Sequence, residues 1–176
     1  MKQREQLVWT PEMVRNFWDY ESQFPDQYFT YKRASEIVRQ IRPFMKPGDQ
    51  VLDYGCGPGY LIDKLMLAGF HAAGLDFSED TTGIVRKTFR TNPFFMGAHT
   101  PTDLRNGELR FDTVTAIEVI EHLYDPQLDE LLQTVKSVLK PEGIVIFSTP
   151  NQERLEDSMI LCPVNNQLFH RWQHVR

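Results

Sequence analysis

The stretch Val51-Leu52-Asp53-Tyr54-Gly55-Cys56-Gly57-Pro58-Gly59-Tyr60-Leu61 decides the fold. A short apolar run enters three glycines on alternate positions, and Leu61, Ile62, Leu65 and Met66 then recur at helical spacing. The pattern predicts a strand, a tight loop and a helix. Glycines let the chain reverse there and let a ligand approach bare backbone. The departures from a dinucleotide loop are informative: position 60, where a third glycine would fall, is Tyr60, and Pro58 removes an amide that a pyrophosphate would use. Asp53, two residues before Gly55, disfavours an anion and suits an ammonium group.

A second carboxylate stands at the end of His71-Ala72-Ala73-Gly74-Leu75-Asp76, about 20 residues past the loop, where a ribose-hydroxyl acceptor is expected. Phe77 beside it is placed to stack on a purine. A ribose, an adenine and an amino-acid ammonium without a pyrophosphate describe S-adenosylmethionine. On VLDYGCGPGYL (51–61), GLDFS (74–78), FDTVTAIEVIEHL (111–123) and LKPEGIVIFSTPN (139–151), the sequence resembles the class I S-adenosylmethionine-dependent methyltransferases. The resemblance implies a Rossmann-like α/β fold with a doubly wound, mostly parallel sheet. It also implies a cofactor site built from Asp53, Gly55, Cys56, Gly57, Gly59, Tyr60, Asp76, Phe77 and Glu118.

Composition sets the frame. At 176 residues the chain reads as one domain, with an aromatic-rich helical cap over 1–46, a cofactor-binding core over 47–150 and a tail over 151–176. A net charge of −5 offers no basic stripe for a nucleic-acid backbone. The polar opening Met1-Lys2-Gln3-Arg4-Glu5-Gln6 lacks the apolar core of a signal peptide, and no run reaches the ~18 apolar residues of a membrane span, so a cytoplasmic location is expected. Cys56 and Cys162 are the two cysteines and read as free thiols.

Thr10-Pro11-Glu12 predicts a helix start, and a second helix is expected from about Tyr31 to Phe44. Nine of the 21 aromatic residues precede position 45, which fits either packing against the sheet or a lid over an acceptor pocket. Strands are expected near 50–54, 71–76, 94–96, 111–117 and 143–148, with helices at 61–68, 78–90 and 128–139 between them. Residues 97–107 read as irregular, with Asp103 a solvated loop carboxylate in preference to an adenine contact. Only 28 residues follow Ser148, too few to supply both strands of the closing antiparallel pair usual in the family, so a shortened C-terminal end of the sheet is expected, with the last parallel strand an edge needing cover by a helix or a second subunit. A homodimer is compatible with that edge.

Glu118, Glu121 and His122 share one side if the segment after the fourth strand is helical, and His170 and His174 lie four apart in the tail. Glu118, Glu121, His122 and His174 form a candidate site for Mg²⁺ or Mn²⁺. Some quinone O-methyltransferases and small-RNA 3′-terminal 2′-O-methyltransferases have a similar E-x-x-E-H followed by a later histidine. Without a metal, the glutamates cap and brace the cofactor loop. His122, Glu121 and His174 are candidate bases for methyl transfer, with His170 beside them. A zinc site through Cys162, His170 and His174 lacks a fourth ligand. The sequence thus predicts O-methylation of a small molecule. Its rivals are a metal-assisted RNA 2′-O-methyltransferase, disfavoured by acidity, and a non-catalytic cofactor-binding or partner domain.

Overall fold

A computed structural model describes residues 4–105 and 107–176. Met1, Lys2 and Gln3 of the polar opening, and Asn106 within the stretch expected to be irregular, lie outside the described residues. The order is α1 (Pro11–Glu21), α2 (Phe29–Ile41), β1 (Gln50–Tyr54), α3 (Tyr60–Leu67), β2 (His71–Leu75), α4 (Glu79–Phe89), β3 (Phe95–His99), α5 (Pro101–Arg105), β4 (Phe111–Ile117), α6 (Asp125–Val138), β5 (Leu139–Ser148), β6 (Met159–Leu161) and β7 (Leu168–His170). β1 to β5 form a parallel sheet in the order β3-β2-β1-β4-β5. The order reverses between β1 and β4, and a crevice opens there at the carboxyl ends of the strands.

Alternation along β1 divides the core. Val51 joins α2, α3 and α4 through Ile37, Ile41, Leu65 and Val85, while Leu52 faces α5 and α6 through Leu104, Leu131 and Val135. Thr10 Oγ1 accepts from the Met13 amide and Ser78 Oγ from the Thr81 amide, so α1 and α4 start at the expected caps. α2 buries Ala34, Ile37, Val38 and Ile41, whereas α1 has no buried residue. The aromatic-rich opening therefore divides between a helix packed on the core and a helix laid over the crevice.

Three segments depart from the expectations. β3 runs to His99, and the stretch expected to be irregular contains α5, its start tied down by Asp103, which accepts from the amide and hydroxyl of Thr100. β5 begins at Leu139 and carries Pro141 inside it, with a register shift against β4 between Phe111 and Thr113. An edge strand tolerates a proline because one side needs no ladder donor. The tail forms β6 and β7, which pair antiparallel with each other and not with β5. The N-terminal segment joins this hairpin: the Leu7 amide donates to the Leu168 carbonyl and the Leu168 amide to the Glu5 carbonyl. Among the described residues no helix is long and apolar enough to cross a membrane.

Two constraints fix the sheet beneath the crevice. Gly74 abuts Cys56 and Ile62 so closely that a Cβ would lie 2.6 Å from Cys56 Sγ and 2.8 Å from Ile62 Cδ1. Asp53 pairs across with Thr115, whose hydroxyl donates to its Oδ1 at 3.0 Å, and is 3% exposed. Burial pushes the Asp53 carboxyl up from 3.8 to about 7, against the Thr115 hydrogen bond, with the Asp76 charge adding to the rise.

Gly74→Ala should lower stability by about 1–3 kcal/mol in denaturant melts. Adding Cys56→Ala should recover part of that loss, because the two side chains compete for one space. A carboxyl whose folded-state pKa lies above its unfolded value stabilises fully below the unfolded value and loses that contribution as pH rises through the folded one. Asp53→Asn, which keeps an acceptor for Thr115, should therefore gain stability relative to the parent as pH rises from about 4 to about 7, by up to ~4 kcal/mol. Thermal melts across that range check it, and a pH-independent difference is the contrary outcome.

Candidate active site

Gly55 takes φ +74°, and a Cβ on it would lie 2.7 Å from Val119, so the reversal after β1 requires glycine. The loop turns its amides inward. Gly55 and Cys56 both donate to the Leu75 carbonyl, at 2.7 and 3.0 Å, Gly57 donates to Asp76 Oδ2 at 3.0 Å, and Gly59 donates to the Cys56 carbonyl at 3.0 Å. Pro58 has no amide to give. Four of the loop amides are therefore committed to acceptors within the protein.

A cavity of about 670 Å³ lies over this loop. It is lined by Gly55, Cys56, Gly57, Asp76 and Phe77 of the loop and β2 end, by Glu118, Glu121, His122 and His174, and by Trp18, Tyr28 and Trp172. Asp76 accepts from Gly57 and, at 3.0 Å, from the Ser78 amide. Burial pushes its carboxyl up to about 6 while those two amides pull it down. Phe77 is half exposed, its ring available to a planar ligand.

Three expected cofactor residues do not line the cavity. Asp53 is paired on both sides, with Gly74 and Thr115, and its buried carboxyl accepts from the Thr115 hydroxyl in the sheet beneath the loop. Gly59 caps α3 with φ +87°, and Tyr60 turns outward to pack edge-on against Tyr28 and Tyr31. The tight turn places both behind the loop.

The acidic cluster also differs from expectation. The segment after β4 is a single 3-10 turn, Ile120–His122, and not an α-helix, so Glu118 does not share a side with Glu121 and His122. Glu118 sits at φ +55° and is tied to β5, its amide donating to the Ser148 carbonyl and its Oε1 accepting from the Ser148 hydroxyl at 2.7 Å. It leaves the expected metal set. Glu121, His122 and His174 remain, each offering one ligand atom within 4.8 Å of the others. Glu121 is 1% exposed, and neither of its oxygens completes a hydrogen bond, although the nearby Thr149 hydroxyl holds its carboxyl down somewhat. Burial pushes Glu121 up to about 7, with the Glu118 and Glu153 carboxylates adding to the rise. Burial and then the His174 ring drive His122 down to about 3, so its imidazole is neutral, and its Nδ1 is also without a hydrogen-bond partner.

The tail holds this turn in place. The Val175 amide donates to the Glu121 carbonyl at 2.8 Å, and Arg176 donates to the Leu123 carbonyl and to Asp125. Gln173, fully buried at φ +60°, donates to the His122 carbonyl and accepts from the Trp18 indole N–H, so it joins α1, the turn and the tail. Sequence reasoning passed over Gln173 and Glu153. Their signal was position alone, beside His174 and just beyond β5.

A model described as "Methyltransferase domain" matches residues 27–176. The ubiquinone biosynthesis O-methyltransferase of Actinobacillus pleuropneumoniae is 28% identical over 148 residues, covering 80% of this chain and 62% of the relative. The protein of the same name from Haemophilus ducreyi is 30% identical over 158 residues, covering 85% and 65%. The chain thus spans less than two thirds of the length of these relatives. An S-adenosylmethionine-dependent methyltransferase from Clostridium acetobutylicum superposes with a TM-score of 0.60 at 21% identity, over 81% of this chain and 60% of that one, a likeness of fold. With its parallel five-stranded sheet and a family model matched over most of its length, the chain belongs to the methyltransferase-domain family.

Proposed function

We propose that the chain binds S-adenosylmethionine over the glycine loop and transfers its methyl group to a hydroxyl oxygen of a small organic acceptor held against Glu121, His122 and His174. The observation that carries this reading is the one continuous cavity that joins the Asp76 and Phe77 end to that cluster. Loop carbonyls with inward-turned amides favour a cationic amino acid over a diphosphate. The O-methyltransferase relatives support oxygen as the attacked atom.

The sulfonium already activates the methyl carbon, so the protein's tasks are alignment, dryness and removal of one proton. As the acceptor oxygen bonds to the methyl carbon, the carbon–sulfur bond breaks and its electron pair stays on sulfur. The hydroxyl proton must go to a base. His122 is a poor one, because burial opposes its protonated form. His174 and Glu121 are the groups left to accept it, and Trp18, Tyr28 and Trp172 keep bulk water from the line of attack.

A second reading is supported by the unpartnered oxygens of Glu121. Glu121, His122 and His174 fit a divalent cation, and two imidazoles with one carboxylate suit Mn²⁺ better than Mg²⁺. Such an ion, when bound, would acidify the acceptor hydroxyl and orient it.

S-adenosylmethionine at 100 times its dissociation constant should raise stability by about 2.7 kcal/mol in thermal melts, and NAD should not. His174→Ala should lower kcat by about 100-fold or more while the dissociation constant for the donor stays unchanged in calorimetry. Full activity after exhaustive chelation, not increased by added Mn²⁺, would remove the metal from this account.

A further inference from the structure

Glu153 follows β5 and lies outside the cavity lining, yet it contacts both tail histidines. His174 Nδ1 is 2.5 Å from Glu153 Oε2, and His170 Nε2 faces Glu153 Oε1 at 3.5 Å. The two rings stack, with centroids 4.5 Å apart and planes inclined by 19°. His170 is 1% exposed, and its Nδ1 accepts from two backbone amides, Trp172 at 3.3 Å and His174 at 3.2 Å.

Those two amides decide the tautomers. A nitrogen accepting from amides carries the lone pair, so the proton of neutral His170 sits on Nε2, pointed at Glu153. The same reasoning removes Glu153, His170 and His174 as a cation site, since the His170 nitrogen facing it carries hydrogen. One carboxylate oxygen receives the Nδ1 proton of His174, and the other lies 3.5 Å from His170 Nε2, which completes no hydrogen bond of its own. His174 Nε2 is left with a lone pair, and among the described residues it makes no hydrogen bond.

From this geometry we infer that Glu153 is a positioning residue: with the buried His170 N–H facing its other oxygen, it holds His174 in the Nδ1–H tautomer and so supplies the cavity with an unprotonated Nε2. The inference rests on the methyl-transfer reading for its purpose. That lone pair serves whether it takes the acceptor's proton or binds a cation beside Glu121 and His122. The tautomer itself depends on neither.

Glu153→Gln is the diagnostic change because it keeps the shape and removes one acceptor. The His170 N–H claims the amide oxygen, which turns the amide NH₂ towards His174 Nδ1 and shifts the His174 proton to Nε2. Two-bond proton–nitrogen correlation spectra of ¹⁵N-histidine-labelled full-length protein read this directly. The expected result is His174 as Nδ1–H in the parent and Nε2–H in Glu153→Gln. kcat should fall by about 10- to 100-fold with donor affinity unchanged. Adding His170→Asn keeps an acceptor for the two amides but removes the competing N–H, so the double variant should return His174 to Nδ1–H and restore kcat. An Nε2–H tautomer in the parent, or an unchanged His174 tautomer in a folded Glu153→Gln, would overturn the inference. The spectra need neither donor nor acceptor, so a parent that binds no S-adenosylmethionine would overturn the methyl-transfer reading while this test still stands.

Discussion

The Leu75 carbonyl, taking two amides from the loop after β1, is the interaction on which the site depends. It ties the end of β1 to the end of β2, and Asp76 extends the tie by accepting from Gly57. Once these amides are committed to the protein, the loop can offer a ligand only carbonyls and bare backbone. Gly74 makes the tie sterically possible, because Cys56 packs where a Cβ would stand. Asp53 supports the same floor from within the sheet, a carboxyl held by one threonine hydroxyl. A single close approach between two parallel strands thus sets both the shape and the electrostatic sign of the crevice.

The other side of the crevice is assembled by the tail. The turn after β4 is one 3-10 turn and has little intrinsic stability of its own. Gln173, Val175 and Arg176 supply the hydrogen bonds that it lacks, and Trp18 is held to the same glutamine. Pairing of the N-terminal segment with the β6–β7 hairpin brings α1 and the tail histidines over one end of the sheet. Glu121, His122 and His174 meet because two distant parts of the chain close on one turn. The Glu121 oxygens and His122 Nδ1 remain buried without a hydrogen-bond partner after that closure, in residues that line the cavity.

Much of the frame was legible in the residues. Glycine spacing, the Thr10 and Ser78 caps and the apolar run of β4 report local conformation, which neighbours in sequence largely dictate. The α/β order and the place of Asp76 and Phe77 at the end of β2 followed from such local signals. Errors fell where one distant partner outweighed local preference. Periodicity alone put Glu118 on a helix with Glu121, but its pairing with Ser148 across the sheet turned it away. The last parallel strand was expected from position 143, yet an edge strand accommodates Pro141 and β5 begins at Leu139. The position of Asp53 beside the loop was visible in the sequence, whereas its Thr115 partner, 62 residues away, was not.

By itself the sequence determined a doubly wound α/β chain with a glycine loop between its first strand and the helix after it, because strand and helix periodicity and turn chemistry act over a few residues. Only the tertiary structure decided which acids line the cavity and what each tail histidine faces. Those outcomes rest on hydrogen bonds between residues far apart in the chain: Asp53 with Thr115, Gln173 with His122, Glu153 with His174. No local pattern encodes them, since each exists only once the sheet, the turn and the tail have closed on one another.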